Sequence, residues 1–176
     1  MQQFNRFTIK AQETLQAAQE LAASYQHGEF RSLHLLASLI NDDQTLVIPT
    51  LVKSGVNVDD LSKSVSDMLR EMPKMITSKA NIGQLYLSQE LMQVLERASK
   101  IAAAQKDQFI SCEHLLLGVL ETTSSASSLL TKLGFKRETA LKVLAGLRGS
   151  MRITDETPES KFQILEKYAV NLTDKA

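Results

Sequence analysis

Residues 7–22 read FTIKAQETLQAAQELA, and residues 31–40 read RSLHLLASLI. From Phe7 onward the apolar residues recur every three or four positions, the spacing that places them on one face of a helix. This series runs through Phe7, Ala11, Leu15, Ala18, Ala22 and Tyr25. Thr8 stands at its beginning and is expected to cap the helix. The two stretches therefore predict an amphipathic helix followed by a second helix.

A duplication relates this region to residues 87–120, which read LSQELMQVLERASKIAAAQKDQFISCEHLLLGVL. A shift of 80 residues superimposes the two regions. Seven of the 22 pairs between positions 15 and 36 are then identical, where composition would give about two. After a one-residue gap the match resumes, with Gly55 over Gly134, and glycine suits the end of a helix. We interpret the chain as two copies of one unit.

The predicted fold class is all-α, with two four-helix repeats in tandem. The first repeat, about residues 4–72, has helices at about 8–25, 32–41, 45–54 and 58–71. The second, about residues 84–149, has helices at about 88–105, 112–121, 126–133 and 137–148. The connection at 73–84, PKMITSKANIGQ, is predicted to be a loop because it contains Pro and Gly and lacks a sustained period. Residues 1–149 would form one domain, and residues 150–176 a polar linker with a short helix at 160–168.

The composition argues against several classes of protein. The chain has 176 residues, with 20 Lys and Arg against 20 Asp and Glu. This zero net charge disfavours broad electrostatic binding to nucleic acid or anionic lipid. The single cysteine, Cys112, excludes an intramolecular disulfide and suits a reducing compartment, so we expect a cytoplasmic location. We expect no membrane span and no export signal, because no run of 18 apolar residues occurs and residues 1–30 lack a basic region followed by an apolar one.

No sequence motif for enzymatic chemistry is present. The patterns GxxxxGK[ST], HExxH and GxSxG are absent, as is GxGxxG after a strand, so we expect neither a cofactor nor a metal ion in this chain. Cys112 and His114 are two residues apart, which on a helix points them to different faces and disfavours a catalytic dyad. A small helical hydrolase using either residue is therefore the least favoured hypothesis.

Four polar residues near predicted helix starts allow more than one interpretation. His34 and His114 occupy equivalent positions, each before a Leu-Leu pair. We interpret both as structural histidines that hydrogen-bond near a helix start, rather than as metal ligands. Asp107 precedes a helix, as turn-forming residues do, and Glu113 lies in a first turn, where the helix dipole stabilises a carboxylate.

The quoted stretches resemble the duplicated N-terminal domain of the Clp ATPases, and ISCEHLLLGVL at 110–120 is the most specific piece. The tail FQILEKYAVNLTDKA at 162–176 resembles the stretch through which such proteins enter their first ATPase module. Together with the acidic, turn-rich connection before it, the tail favours the ClpB disaggregase branch over the ClpC and ClpA branches. The resemblance covers nearly all of the chain. It implies two repeats related by a pseudo-two-fold axis, with a substrate groove between them.

The resemblance also implies substrate-binding residues. The family's substrate-handling Thr, Asp and Glu fall on Thr8, Asp107 and Glu113, and an apolar groove position falls on Leu95. The second apolar groove position falls on His114, which is less apolar. We therefore expect an apolar floor joined to a few polar groups.

The function implied by the resemblance is substrate recruitment for a hexameric AAA+ chaperone that threads aggregated polypeptides through a central pore with a DnaK-type partner. The nucleotide sites for ATP and Mg²⁺, and the hexamer contacts, would lie in modules beyond Ala176. This piece is thus expected to be a monomer and not an enzyme. A second hypothesis assigns adaptor or substrate docking for a ClpC- or ClpA-type protease unfoldase. Leu33 stands where Clp domains commonly carry Glu, which removes one of the paired carboxylates of a ClpC-type phosphoarginine site.

Overall fold

The computed structural model describes residues 6–75 and 86–149, together with Ile153 and Pro158. Nearly all the regular structure of the described residues is helical, with two strands of two residues each. The elements are α1 Ile9–Ser24, β1 Glu29–Phe30, α2 Ser32–Ile40, α3 Val47–Lys53, α4 Val58–Glu71, β2 Tyr86–Leu87, α5 Gln89–Ala104, α6 Cys112–Glu121, α7 Ser125–Lys132 and α8 Arg137–Arg148.

The all-α class and the eight predicted helices are confirmed, with boundaries that differ by at most two residues. The strands β1 and β2 are not among the sequence-based predictions. The predicted helix at 160–168 and most of the predicted loop at 73–84 lie outside the described residues.

Hydroxyl caps begin the first helix of each repeat. The Thr8 hydroxyl accepts a hydrogen bond from the Ala11 amide at 3.0 Å, and Ser88 accepts one from the Leu91 amide at 3.1 Å. Each bond satisfies a helix N-terminal amide that lacks an intrahelical partner. The predicted capping role of Thr8 is therefore confirmed.

Glycines end the third helix of each repeat, as predicted. Gly55 and Gly134 have φ values of +90° and +91°, a conformation that glycine adopts without a steric penalty. The next amides, of Val56 and Phe135, donate back to the carbonyls of Leu51 at 3.0 Å and of residue 130 at 2.9 Å. These are the hydrogen bonds of a Schellman motif, which turns the chain sharply into the next helix.

Two short parallel pairings of the main chain join the repeats along the interface between them, which we call the seam. Phe30 pairs with Leu87 in the parallel strands β1 and β2, and Phe7 pairs with Ile110 in an isolated parallel bridge. The amide after Phe7 donates to the Ile110 carbonyl at 2.9 Å, and the amide after Leu87 donates to the Phe30 carbonyl at 3.0 Å. Under the 80-residue shift Phe7 corresponds to Leu87 and Phe30 to Ile110, so each bridge is the image of the other with the repeats exchanged. A pseudo-two-fold axis produces this reciprocity.

One hydrophobic core runs through both repeats, with α2 and α6 at its centre. These helices contact each other, and each also contacts helices of the opposite repeat. The centre of the interface between the repeats is therefore filled by side chains. The buried apolar residues of the two helices are Leu33, Leu35, Leu36, Leu39, Cys112, Leu115, Leu116, Leu117 and Val119.

Candidate functional site

Four of the five expected substrate-binding residues are buried. Thr8, Glu113 and His114 have no exposed surface, and Asp107 is 5% exposed. Burial follows from their positions, because Thr8 precedes α1 at the seam and the other three surround the start of α6. The fifth residue, Leu95 on α5, is half-buried.

Asp107 and His114 form the centre of a polar network beside α6. The Ser111 amide donates to His114 Nδ1 at 2.9 Å, so the ring carries its hydrogen on Nε2, which lies 2.9 Å from Asp107 Oδ2. Arg148 Nη2 donates to Asp107 Oδ1 at 2.6 Å, and so does the Ile153 amide at 2.9 Å. Burial raises the pKa of the Asp107 carboxyl, but the hydrogen bonds from His114, Arg148 and Ile153 outweigh it and hold the pKa well below its usual range.

A different pair occupies the equivalent place in the first repeat. The Arg31 amide donates to His34 Nδ1 at 2.9 Å, so Nε2 carries the hydrogen and donates to His27 Nδ1 at 2.8 Å. The His27 ring also stacks on Tyr25. Burial lowers the pKa of both histidines, to about 4 for His34, where the neighbouring His27 lowers it further. Both helix-start histidines therefore hydrogen-bond to the main chain at the start of their helices, as expected.

Glu113 is a buried carboxylate without a hydrogen-bond partner among the described residues. It lies in the first turn of α6, where the partial positive charge of the helix N-terminus is its nearest compensation. Leu33, equally inaccessible, holds the equivalent position of α2. An unpaired buried carboxylate costs folding free energy, so the second repeat carries a cost here that the first repeat avoids.

An exposed apolar surface surrounds Leu95, and we name Leu87, Met92 and Leu95 the α5 patch. Leu87 is 45% exposed and Met92 is 51% exposed. Leu87 precedes the capping residue and Met92 is the fourth helical residue, the two positions that contact each other in a hydrophobic staple. Met92 and Leu95 are three residues apart and share a helix face. The α5 patch therefore lies at one edge of the seam, where β2 meets β1.

The first repeat does not reproduce the α5 patch. Its equivalent residues are Phe7, which is 2% exposed, the polar Gln12, and Leu15, which is 6% exposed. Gln12 also donates its side-chain amide to the Phe7 carbonyl at 3.0 Å. Two copies of one unit thus differ here, and only the second exposes apolar side chains at this position.

The start of α5 is held in place from the opposite repeat. The Ser32 hydroxyl of α2 donates to the Glu90 carboxylate in the first turn of α5 at 3.2 Å. Together with the pairing of β2 on β1, this bond fixes the helix that carries the α5 patch. The patch is therefore a preformed surface.

Other concave surfaces lie away from the expected site residues. A groove of about 250 Å³ lies between α1, α2 and α4, with an apolar floor that includes Leu21, Ile40, Val65 and Leu69. Further polar grooves lie beside α5 and beside the start of α1. Each of these three grooves is built from a single repeat.

Within the described ranges, no three His, Cys, Asp or Glu side chains come together in a way that would hold a metal ion. No helix in that part of the chain combines the length and apolar character that a membrane crossing requires.

The sequence analysis proposed Leu95 as a groove residue but did not propose Leu87 or Met92. Leu87 fits the apolar series of α5, so its spacing gives no reason to expect exposure. The contrast with the first repeat contained a signal, since Met92 stands where Gln12 is polar.

Comparison with known proteins gives one family over most of the chain. Residues 6–133 match the Clp repeat (R) N-terminal domain. The chaperone protein ClpB of Bacillus cereus is 34% identical over 168 residues, which is 96% of this chain and 19% of the relative. The ClpB of Corynebacterium diphtheriae is 33% identical over 169 residues, 96% of this chain and 20% of the relative. The chain thus spans about a fifth of the length of these curated relatives.

Solved structures show the same fold. The Hsp104 N-terminal domain from Candida albicans superimposes with a TM-score of 0.75 and 26% identity, covering 87% of this chain and 98% of that one. The N-domain of ClpV from Vibrio cholerae superimposes with a TM-score of 0.68 over 82% of this chain and 86% of that one. At 19% identity, the second comparison shows the fold alone.

Proposed function

The chain belongs to the Clp repeat N-terminal domain family, and on that premise we propose that it recruits unfolded or aggregated polypeptides for a ClpB-type, ATP-dependent disaggregase. The observation that carries the proposal is the α5 patch, an apolar surface that the duplicated half does not share. Exposed apolar side chains that are held rigidly favour contact with other apolar segments. Misfolded chains expose such segments.

The remaining parts of the proposal concern the longer protein. ATP and Mg²⁺ would bind in ATPase modules after this chain, which themselves would assemble the hexamer and work with a DnaK-type chaperone in the cytoplasm. This chain would contribute binding and no catalysis. A dissociation constant near 10 μM, which corresponds to about 7 kcal/mol, suits a domain that must release its client to a motor.

We propose different roles for the expected site residues according to their burial. Leu95 contacts the client as part of the α5 patch. The four buried residues, Thr8, Asp107, Glu113 and His114, shape the helix starts at the seam. Hydrogen bonds to Thr8, Asp107 and His114 support this role. Glu113 makes none among the described residues, and because it is fully buried it would contact a client only if the start of α6 opened.

The ClpB assignment is favoured over a ClpC- or ClpA-type protease unfoldase. The two curated relatives described above are both ClpB chaperones. Leu33 is a buried apolar residue where a phosphoarginine site would need a second carboxylate. Adaptor docking therefore stays the alternative.

Binding of a labelled unfolded protein tests the proposed surface. The double variant Leu87→Ser, Met92→Gln should bind fluorescein-labelled, reduced and carboxymethylated α-lactalbumin roughly ten- to thirtyfold more weakly by fluorescence anisotropy. The reason is that two half-exposed apolar side chains contribute about 1 kcal/mol each when a client covers them. Unchanged helical circular dichroism would show that the fold is retained.

Val52→Gln is the matched control. Val52 lies on α3 and is 56% exposed, so this variant also removes exposed apolar surface but leaves the α5 patch intact. It should bind the labelled protein normally. Equal weakening by both variants, or normal binding by the double variant, would refute the α5 patch as the client-binding surface.

A further inference from the structure

At Ile153, the chain that follows α8 is held against the body of the second repeat. The Ile153 amide donates to Asp107 Oδ1 at 2.9 Å, and the Ile153 carbonyl accepts from the Gln108 amide at 2.8 Å. The Ile153 side chain has no exposed surface. Residue 153 is therefore fixed by two main-chain hydrogen bonds and by a buried side chain.

Three parts of the second repeat donate to the same Asp107 carboxylate. Arg148 is the last residue of α8, His114 lies in the first turn of α6, and Ile153 belongs to the chain beyond α8. Arg148 Nη1 also donates to Gln105 Oε1 at 2.9 Å. The turn between α5 and α6 thus binds both the end of α8 and the residue through which the chain continues.

The first repeat lacks this arrangement. Position 27, equivalent to 107, is His27, whose Nδ1 accepts from His34. Among the described residues after α4, the Met75 amide donates to the Gln26 carbonyl of the equivalent turn at 2.8 Å. Leu69 stands where Arg148 stands in the second repeat. Only the second repeat, among the described residues, thus has a carboxylate that binds both the end of its last helix and the chain that follows it.

We propose that Asp107 is a positioning residue that fixes the point at which the chain leaves the second repeat, and that it ties this exit to the start of α6. Removing the carboxylate takes the acceptor from Ile153, Arg148 and His114 together. The exit is then released, while the helices keep their apolar core. This proposal goes beyond client binding and does not depend on it.

Amide hydrogen exchange in the 176-residue chain, measured by NMR, tests the proposal. In Asp107→Ala, exchange at the Ile153 and Gln108 amides should rise at least tenfold. Exchange at the core amides of Leu35 and Leu36 in α2 reports general destabilisation and should rise by a smaller factor. A larger rise at 153 and 108 than at 35 and 36 separates release of the exit from general destabilisation. Client binding is read by a different measurement, so the two proposals fail independently.

Glu113→Gln is the matched control, because Glu113 is a buried carboxylate one residue from His114 and makes no bond to Ile153 among the described residues. It should leave exchange at 153 and 108 within twofold of the parent chain. Should Asp107→Ala not fold, Asp107→Asn decides the matter, since it keeps the volume of the side chain but leaves one acceptor oxygen for the three donors, and exchange at Ile153 should rise at least threefold. Unchanged protection in the variant that folds, or an equal rise in Glu113→Gln, overturns the proposal.

Discussion

The buried pair of His27 and His34 makes the stability of the first repeat depend on pH. Three of the four ring nitrogens have a defined partner, because the Arg31 amide donates to His34 Nδ1 and His34 Nε2 donates to His27 Nδ1. A second proton on either ring would enter a buried site that already faces the cations Arg31 and Lys74. The pair is therefore neutral in the folded protein.

Stability should consequently fall as the solution is acidified. The pKa of both histidines is lowered by folding, to about 4 for His34, from an ordinary value near 6.5. Their contribution to the free energy of unfolding is complete above about pH 6.5. It declines toward about pH 4, because the two histidines bind protons in the unfolded chain but not in the folded one. For His34 the loss is roughly 2–3 kcal/mol. Urea unfolding between pH 7 and 4 measures it.

The comparison that isolates this effect is His27→Asn. Its side-chain oxygen can still accept from His34, but only one histidine of the pair remains to titrate, so the slope of stability against pH should fall. Carboxylates elsewhere titrate equally in both proteins and cancel. Identical slopes in the two proteins would contradict the assignment.

Glu113 allows a second prediction at a single residue. Glu113→Leu copies the residue of the first repeat and removes a buried carboxylate that lacks a hydrogen-bond partner among the described residues. The free energy of unfolding should rise by roughly 1–3 kcal/mol, because replacing such a group by an apolar one of similar volume removes its desolvation cost. Urea denaturation measures the change, and a lower midpoint would show that the carboxylate stabilises the fold.

At the scale of elements, α5 and α6 approach closely because a glycine lies between them. A Cβ atom added at Gly118 would lie 2.7 Å from the Val94 carbonyl oxygen. The equivalent residue of the first repeat is Ser38, whose hydroxyl donates to the Thr14 carbonyl at 2.8 Å. In the first repeat a serine hydroxyl thus donates to the carbonyl of the neighbouring helix. In the second repeat a glycine leaves room for that carbonyl.

Gly118→Ala should therefore destabilise the protein by roughly 1–3 kcal/mol, the usual cost of overpacking a core. Gly146→Ala serves as its counterpart on α8, where a new Cβ meets no atom within 4 Å. There the change should stabilise by roughly 0.5–1 kcal/mol, because alanine favours the helix more than glycine does. Urea midpoints of the two variants should move in opposite directions, and a shared direction would argue against close packing as the cause.

The elements themselves could be predicted because their signals are local. Helix faces follow from a three-to-four spacing, and Thr8 and Gly55 mark a beginning and an end by the chemistry of one residue. The strands β1 and β2 could not be predicted, since two residues are too few for an alternating pattern, and their pairing joins positions 57 residues apart.

At the scale of the whole molecule, the duplication could be predicted from the sequence, but the burial of the expected site residues could not. A polar residue at a helix start fits a cap, a turn or a binding site equally well, and only packing between the repeats decides. Such packing buries the hydrogen-bond network of Asp107 and His114. The seven-residue separation of positions 27 and 34, matched by 107 and 114, was nevertheless visible in the aligned repeats.

The reciprocal bridges, Phe7 with Ile110 and Phe30 with Leu87, have the geometry of an isologous contact, in which each copy offers the other the same surface. Two separate copies of such a unit would meet in this way as a homodimer, held only at sufficient concentration. Joining them in one chain makes the partnership permanent. It also allows each half to change without the other, so that only the second half carries the α5 patch and the carboxylate of Asp107.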